Sequence, residues 1–277
     1  MQLGDRICAP SLRLLAFVII AANAPPAHAI SFHFSPASIN IEARPGQIIN
    51  QTLTLTLAND AKPTHFKARV EDWWRSADNL RTFYAAAGTI SRSCGRWCSV
   101  NPAETAVKPG ETLVVKVSLR VPDDAKPGGY WAALTVDEVT DPMLPKPTGV
   151  AMVFRASLSV GIYVEIPTAT RAAHIVEIRI SGQHATVVLS NDGNIPLRVT
   201  GTFEFYKVGE EQPAASVTFG GDPVLPEPIN TCAFDASLPD AQVLPSGRYR
   251  VRVIVDLDLD HLLGAEKELD IVRSIGP

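Results

Sequence analysis

In the segment GVAMVFRASLSVGIYVEIP (149–167), every even position from 150 to 164 is apolar: Val150, Met152, Phe154, Ala156, Leu158, Val160, Ile162 and Val164. The odd positions turn polar along the way, through Arg155, Ser157, Ser159 and Glu165. A period of two gives a β-strand one dry face and is incompatible with a helix. At ~3.3 Å per residue the strand predicted over 150–164 reaches about 50 Å, whereas ordinary strands span roughly 20 Å. Such a strand needs sheets to lie in, and the rest of the chain supplies them. Short alternating segments recur between Pro, Gly, Asn and Asp, and no stretch of ten residues carries a helical period. The 22 prolines and 18 glycines act in the same direction, because both interrupt helices. Short strands with regular turn signals predict sandwiches or barrels.

The chain also repeats itself. LTLTLANDAKPTHFKARVEDW (53–73) matches ATVVLSNDGNIPLRVTGTFEF (185–205): a strand, an Asn-Asp pair, a turn with Pro63 or Pro196, and a second strand. VPDDAKPGGYWAALTV (121–136) matches LPDAQVLPSGRYRVRVIV (238–255). In both copies a tyrosine, Tyr130 or Tyr249, opens a strand just after a Pro-Gly or Pro-Ser-Gly turn. That is the place of the tyrosine corner in immunoglobulin-like sandwiches, where the hydroxyl bonds back to nearby backbone. The predicted fold class is therefore all-β, with two immunoglobulin-like β-sandwich domains in tandem, at 30–166 and 167–277. Pro167 marks the joint, since it stops ladder pairing.

Residues 1–29 read as a signal peptide. Arg6 and Arg13 precede the apolar run Leu14 to Ala22, and Ala27-His28-Ala29 is a small-x-small cleavage site. The run is shorter than the ~20 residues a membrane span needs, so no membrane insertion is expected after cleavage. A formal net charge of −4 and a pI near 5.9 leave no basic stripe for phosphates and argue against a nucleic-acid partner. Export permits disulfides. Cys94 and Cys98 flank Gly95-Arg96-Trp97 and are expected to close a small ring; the alternatives are a redox pair, against which the CxxxC spacing counts, and a zinc site, which lacks two further ligands. Cys232 reads as a small buried hydrophobe.

No catalytic constellation is visible. His33, His65, His174, His184 and His261 lie in no HExxH or GxSxG context, and no Gly-rich phosphate loop opens a helix. The chain is predicted to be no enzyme and to need no cofactor. Asp256, Asp258 and Asp260 in DLDLDH fail the EF-hand pattern at positions 6 and 12, so no metal site is expected. Their alternation with Leu257 and Leu259, after Arg248, Arg250 and Arg252, reads instead as a charged face that guards an edge strand. Asn50-Gln51-Thr52 is a formal glycosylation sequon. Of Trp73 and Trp74, one is expected in the core and the other on the surface or beneath residues 75–99; sugar stacking is the alternative.

A Pro-Gly turn at Arg44-Pro45-Gly46, NPAETAVKPGETLVVKVSL (101–119), ALTVDE (133–138) and FRASLSVGIYVEIP (154–167) together resemble the periplasmic pilus-assembly chaperones. The resemblance implies a periplasmic protein whose last first-domain strand is lent to an incomplete pilin-type subunit of a surface fibre, a form of β-strand addition. The implied partner-binding residues are Val150, Met152, Phe154, Ala156 and Leu158. An exposed donor edge also allows self-association. Family members anchor the subunit's terminal carboxylate on a basic pair, one residue on the first strand and one on the donor strand. By spacing from Gly46 and Pro167 these positions fall near Ile41 and Ile162, which cannot bind a carboxylate, leaving Arg44 and Arg155 as candidate anchors. The grammar is also similar to paired-sandwich surface proteins that bind cell wall in Gram-positive bacteria, which makes a secreted or cell-surface adhesion scaffold the alternative.

Overall fold

The computed structural model describes residues 32–59, 61, 63–139, 155–181, 183–238 and 244–271. The predicted leader and Val150, Met152 and Phe154 lie outside the described residues.

Ten strands make up the first part of the chain: β1 (Phe32–Ser35), β2 (Ser38–Glu42), β3 (Ile48–Leu57), β4 (Thr64–Arg75), β5 (Thr82–Ala86), β6 (Cys98–Asn101), β7 (Glu104–Val107), β8 (Thr112–Arg120), β9 (Gly128–Val139) and β10 (Ser157–Ile166). Seven make up the second: β11 (Ala173–Ser181), β12 (His184–Asn191), β13 (Leu197–Lys207), β14 (Ala215–Val224), β15 (Thr231–Ser237), β16 (Gly247–Asp256) and β17 (Leu263–Ile271). The one helical element among the described residues is a 3-10 turn at Gly95–Trp97.

The first domain stacks a sheet ordered β1-β3-β8-β6 on one ordered β2-β10-β9-β4-β5, with β7 also paired to β4. The second stacks β11-β12-β15 on β14-β13-β16-β17. The two halves share one wiring. β3 with β8 repeats as β12 with β15, β4 with β9 as β13 with β16, and β9 with β10 as β16 with β17. The protein is two immunoglobulin-like β-sandwiches in tandem.

Alternation builds each core. Leu53, Leu55 and Leu57 of β3 and Val115, Val117 and Leu119 of β8 face Leu134 and Val136 of β9 and Val160, Ile162 and Val164 of β10, all buried. In the second domain Phe203 and Phe205 pack with Val187, Leu189, Phe234 and Val253. The Tyr130 hydroxyl donates to Lys126 O and accepts from Lys126 N, both at 3.1 Å. The Tyr249 hydroxyl donates to Pro245 O at 3.0 Å. Each thus bonds four residues back, pinning the turn that starts its strand.

The charged face on β16 differs from expectation, because β16 is no edge; it lies between β13 and β17. Two of its arginines pair across to β17 on the exposed face. Arg248 meets Glu268 at 3.0 Å and Arg252 meets Glu266 at 2.6 Å, while Arg250 and Arg252 lie over the Tyr206 ring. The DLDLDH stretch is where β16 stops: Leu257 is buried, and Asp258 turns through a positive φ with its amide on the Asp256 carboxylate. Among the described residues, no group of three His, Cys, Asp or Glu could hold a metal ion, and no helix is long and apolar enough to cross a membrane.

Tyr249→Phe leaves Pro245 O without its donor and is expected to cost about 1 kcal/mol. The check is a lower urea midpoint for the second domain.

Candidate functional site

Strand β9 begins GGYWAALTV, and both of its faces are buried. Tyr130, Ala132, Leu134 and Val136 serve the sandwich core. Trp131, Ala133 and Thr135 point to the opposite, outer face, yet none exceeds 3% exposure. What covers them is a row of aromatics and the second domain. Tyr163 on β10 is opposite Trp131, and Asn40 on β2 is opposite Tyr163. Glu71 opposite Ala133 sets the register that brings Trp73 alongside Trp131, and Tyr84 on β5 is opposite Trp73. Trp131 Nε1 donates to Trp73 O at 2.9 Å, and Trp73 meets the Tyr163 ring edge-on at 6.3 Å. The Tyr163 ring folds over Gly161, where a Cβ would lie 2.7 Å from it; the missing side chain is what admits the ring. Leu225 of the second domain closes over Trp73, Trp131, Ala133 and Ile90. Trp73 is thus the core tryptophan, but of an interdomain core; Trp74 is half-buried, packed against that cluster and stacked on Phe83 at 5.6 Å.

The segment between β4 and β6 braces the two domains. Asp72, fully buried, accepts from Thr89 N at 2.7 Å, Ile90 N at 2.9 Å and Ser93 Oγ at 2.5 Å, and so shapes the loop. The loop then reaches across: Ser91 Oγ and Arg92 N both donate to Glu227 Oε1. Ala233 N donates to Ala77 O at 2.9 Å, and Gly129 N to Asn194 O at 2.8 Å. Arg75 meets Asp222 at 2.7 Å. Trp97 packs on Tyr130 at 4.5 Å. The ring expected between Cys94 and Cys98 is open here. Both are thiols, and the Cys98 thiol donates to Cys94 O at 3.3 Å. Cys232 is buried, and burial pushes its thiol up to about 12.

Between the domains lies a cleft of about 640 Å³ floored by Asn40, Tyr163, Trp73 and Tyr84 from the row, with Arg75, Arg171, Arg198 and Asp222 at its walls. Carboxylates line it as well, Glu42, Glu165, Asp222 and Asp258, of which Glu165 is paired with Arg171 and Asp222 with Arg75. Trp73 Nε1 and Arg75 Nε are buried donors with no partner among the described residues. Arg198 donates to Asn40 Oδ1 at 2.8 Å and to Ser38 Oγ at 3.3 Å but forms no ion pair among the described residues. Arg171, in contrast, is neutralised by a bidentate pair with Glu165 at 2.9 and 2.8 Å. Burial pushes the Tyr163 phenol up to about 12 against the pull of Arg198 and Arg75, so it stays an O–H donor. Donors without acceptors suit an acceptor-only group such as a carboxylate.

The long strand is itself unevenly held. One side of β10 pairs with β9 along its whole length, Ser157 to Ile166. The other side pairs with β2 only from Gly161 to Glu165, in parallel. β2 can start no earlier than Ser38, because Pro36 lacks an N–H and stands where the chain crosses from β3 to β10. Among the described residues, Ser157 to Val160 therefore face no strand on that side. Burial follows the same gradient: Val160, Ile162 and Val164 are buried, whereas Ala156 and Leu158 are half-buried. Of the predicted anchors, Arg155 is exposed at the start of this open edge and Arg44 is exposed in the turn after β2; neither lines the cleft. Ile41 and Ile162 belong to the sandwich core, 8% and 0% exposed.

Sequence reasoning missed Arg75, Tyr163 and Arg198 as cleft residues and the brace as an element. One signal was available. A run such as YWAALTV without polar alternation marks a strand buried on both faces, so something had to cover Trp131.

These features define a tandem sandwich protein with a braced interdomain cleft and a strand whose first four residues face no partner strand on one side among the described residues. No protein-family model and no curated protein matches the chain. Among solved structures it is similar to the CsuC–CsuE chaperone–tip adhesion subunit pre-assembly complex from the archaic Csu pili of Acinetobacter baumannii, at 15% identity and a TM-score of 0.45 over 87% of this chain and 97% of that one. It is also similar to the Pseudomonas aeruginosa CupB2 chaperone (14%, TM-score 0.42, 84% and 97% covered) and the E. coli chaperone DraB (13%, TM-score 0.41, 87% and 99%). The fold assignment stands on the strand wiring itself.

Two outcomes test the site's construction. Asp72→Ala strands three donors and should cost about 3 kcal/mol, read as a lower urea midpoint of the first domain. Ile162→Lys buries an ammonium in the core. It should destabilise the first domain by about 3 kcal/mol or more, visible as lost cooperative melting.

Proposed function

We propose that this chain is an exported, non-enzymatic chaperone-like protein of the periplasm that binds fimbrial or pilin-type subunits by donating the edge of its 150–164 strand. The observation that carries the proposal is the open side of β10 at Ser157–Val160, directly following the apolar alternation at 150–154. An edge of unpaired N–H and C=O groups with apolar side chains at every second position is a template for another chain. A subunit lacking its last strand has the complementary need. Val150, Met152, Phe154, Ala156 and Leu158 fill its pockets, with Arg155 beside them on the opposite parity. The same edge is the surface through which two copies pair when no client is present.

The client's terminal carboxylate, for which Ile41 and Ile162 offer nothing, is taken by the cleft donors instead. Arg198 and the Tyr163 hydroxyl lead, with Trp73 Nε1 and Arg75 Nε behind them. This supports a single client reaching from the open edge into the cleft.

The test is recovery of the tagged chain from the envelope of its own host. Wild type should carry a bound small β-rich subunit, and Met152→Asp with Phe154→Asp should lose it while melting at the same temperature. Unfolding of that double variant, or an unchanged set of bound proteins, would sink the donor strand. For the anchor, Arg198→Ala should weaken the purified complex roughly 10-fold, about 1.4 kcal/mol, with the melting temperature unchanged in the free chain.

A further inference from the structure

The loop that braces the domains carries two thiols that the donor-strand reading does not use. Cys94 begins the 3-10 turn, with Trp97 N donating back to Cys94 O at 3.0 Å and Cys98 N to Gly95 O. The turn returns the chain on itself, so Cys98 Sγ lies 3.3 Å from Cys94 O. The two thiols differ in access. Cys94 is 0% exposed, its Sγ over Ile162 O of β10 at 3.9 Å, whereas Cys98 is half-buried. Gly95 permits the tight path: a Cβ there would lie 2.7 Å from the Ala87 Cβ.

We infer that Cys94 and Cys98 are a redox staple, closed by exchange with a disulfide-bearing oxidant, which locks the interdomain brace. The Cys98 thiolate, the reachable one, attacks a sulfur of the oxidant's disulfide and expels the other as a thiolate. Cys94 then gives up its proton, attacks the Cys98 sulfur and releases the oxidant's remaining thiolate. The chain loses two hydrogen atoms, and the oxidant's disulfide leaves as two thiols. Burial, with the adjacent Cys98 thiol adding to it, holds the Cys94 thiol well above its usual range, which favours this order of attack.

The position of the ring decides what it controls. Ser91 and Arg92, just before Cys94, hold Glu227 of the second domain. Cys94 N donates to Trp131 O, and Trp131 N to Arg92 O, beside the interdomain core. Cys98 opens β6, which pairs with β8 in the opposite sheet. A bond from 94 to 98 therefore ties the brace to both sheets of the first domain at once.

The experiment incubates the purified full chain with oxidised or reduced glutathione, then alkylates and digests it. Oxidation is expected to yield an intramolecular Cys94–Cys98 peptide, and to raise the melting temperature by roughly 4–8 °C, from the loop-closure entropy of a five-residue ring in a chain of this size. It should also slow proteolysis within 76–99. Cys98→Ser, at the half-buried site, should fold and lose all three responses; Cys232→Ala should keep them. Persistent alkylation of both thiols, a stable mixed disulfide at Cys98, or a ring that forms without moving the melting temperature would each overturn the proposal.

Discussion

The outer face of the large first-domain sheet cannot stand in water at its cleft end. Trp73, Trp131, Ala133 and Tyr163 share that face, and covering Trp131 alone is worth about 4–6 kcal/mol at ~25 cal/mol per Å². The second domain supplies Leu225 for the purpose, and the loop after β5 supplies Ile90. The relation between the domains follows from this contact. Around it the polar links, Glu227 to the Ser91–Arg92 corner and Asp222 to Arg75, fix an angle that the apolar surface alone would leave loose. Two sandwiches joined only through Pro167 would be expected to move; these share a core.

The cleft is a consequence of the same row. Its floor is the rim of the aromatic ladder beside the Leu225 contact, so it combines rigid apolar surface with the N–H and O–H groups at the edges of those rings. Tryptophan and tyrosine bury well but bring a donor with them, and here the donor of Trp73 has no partner among the described residues. Positions 41 and 162 are isoleucines that complete the core. Of the cleft arginines, Arg75 and Arg171 are paired with Asp222 and Glu165, and Arg198 of the second domain is the one without an ion pair among the described residues.

Much of the fold was legible in the residues. Alternation marked the strands, the Asn-Asp and Pro-Gly repeats marked two copies of one plan, and Tyr130 and Tyr249 appeared in corresponding places because each closes the same turn. The reading of Arg248, Arg250 and Arg252 as an edge guard failed because parity shows which face a residue takes, never which strand lies next to it. β17 does, and its glutamates meet them. The 76–99 segment was opaque for a related reason. Its logic is Asp72 collecting three donors from up to 21 positions away, and no local pattern records that.

By itself the sequence determined the class of structure and the greasy parity of the 150–164 strand, since a period of two is a local property of the backbone. The unbroken run around Trp131 also determined that its strand needed cover on both faces. Only the tertiary structure decided what covers it, where β2 begins to pair with β10, and therefore that Ser157–Val160 face no strand on that side among the described residues. Those are matters of register and of domain contact, set by side chains far apart in the chain.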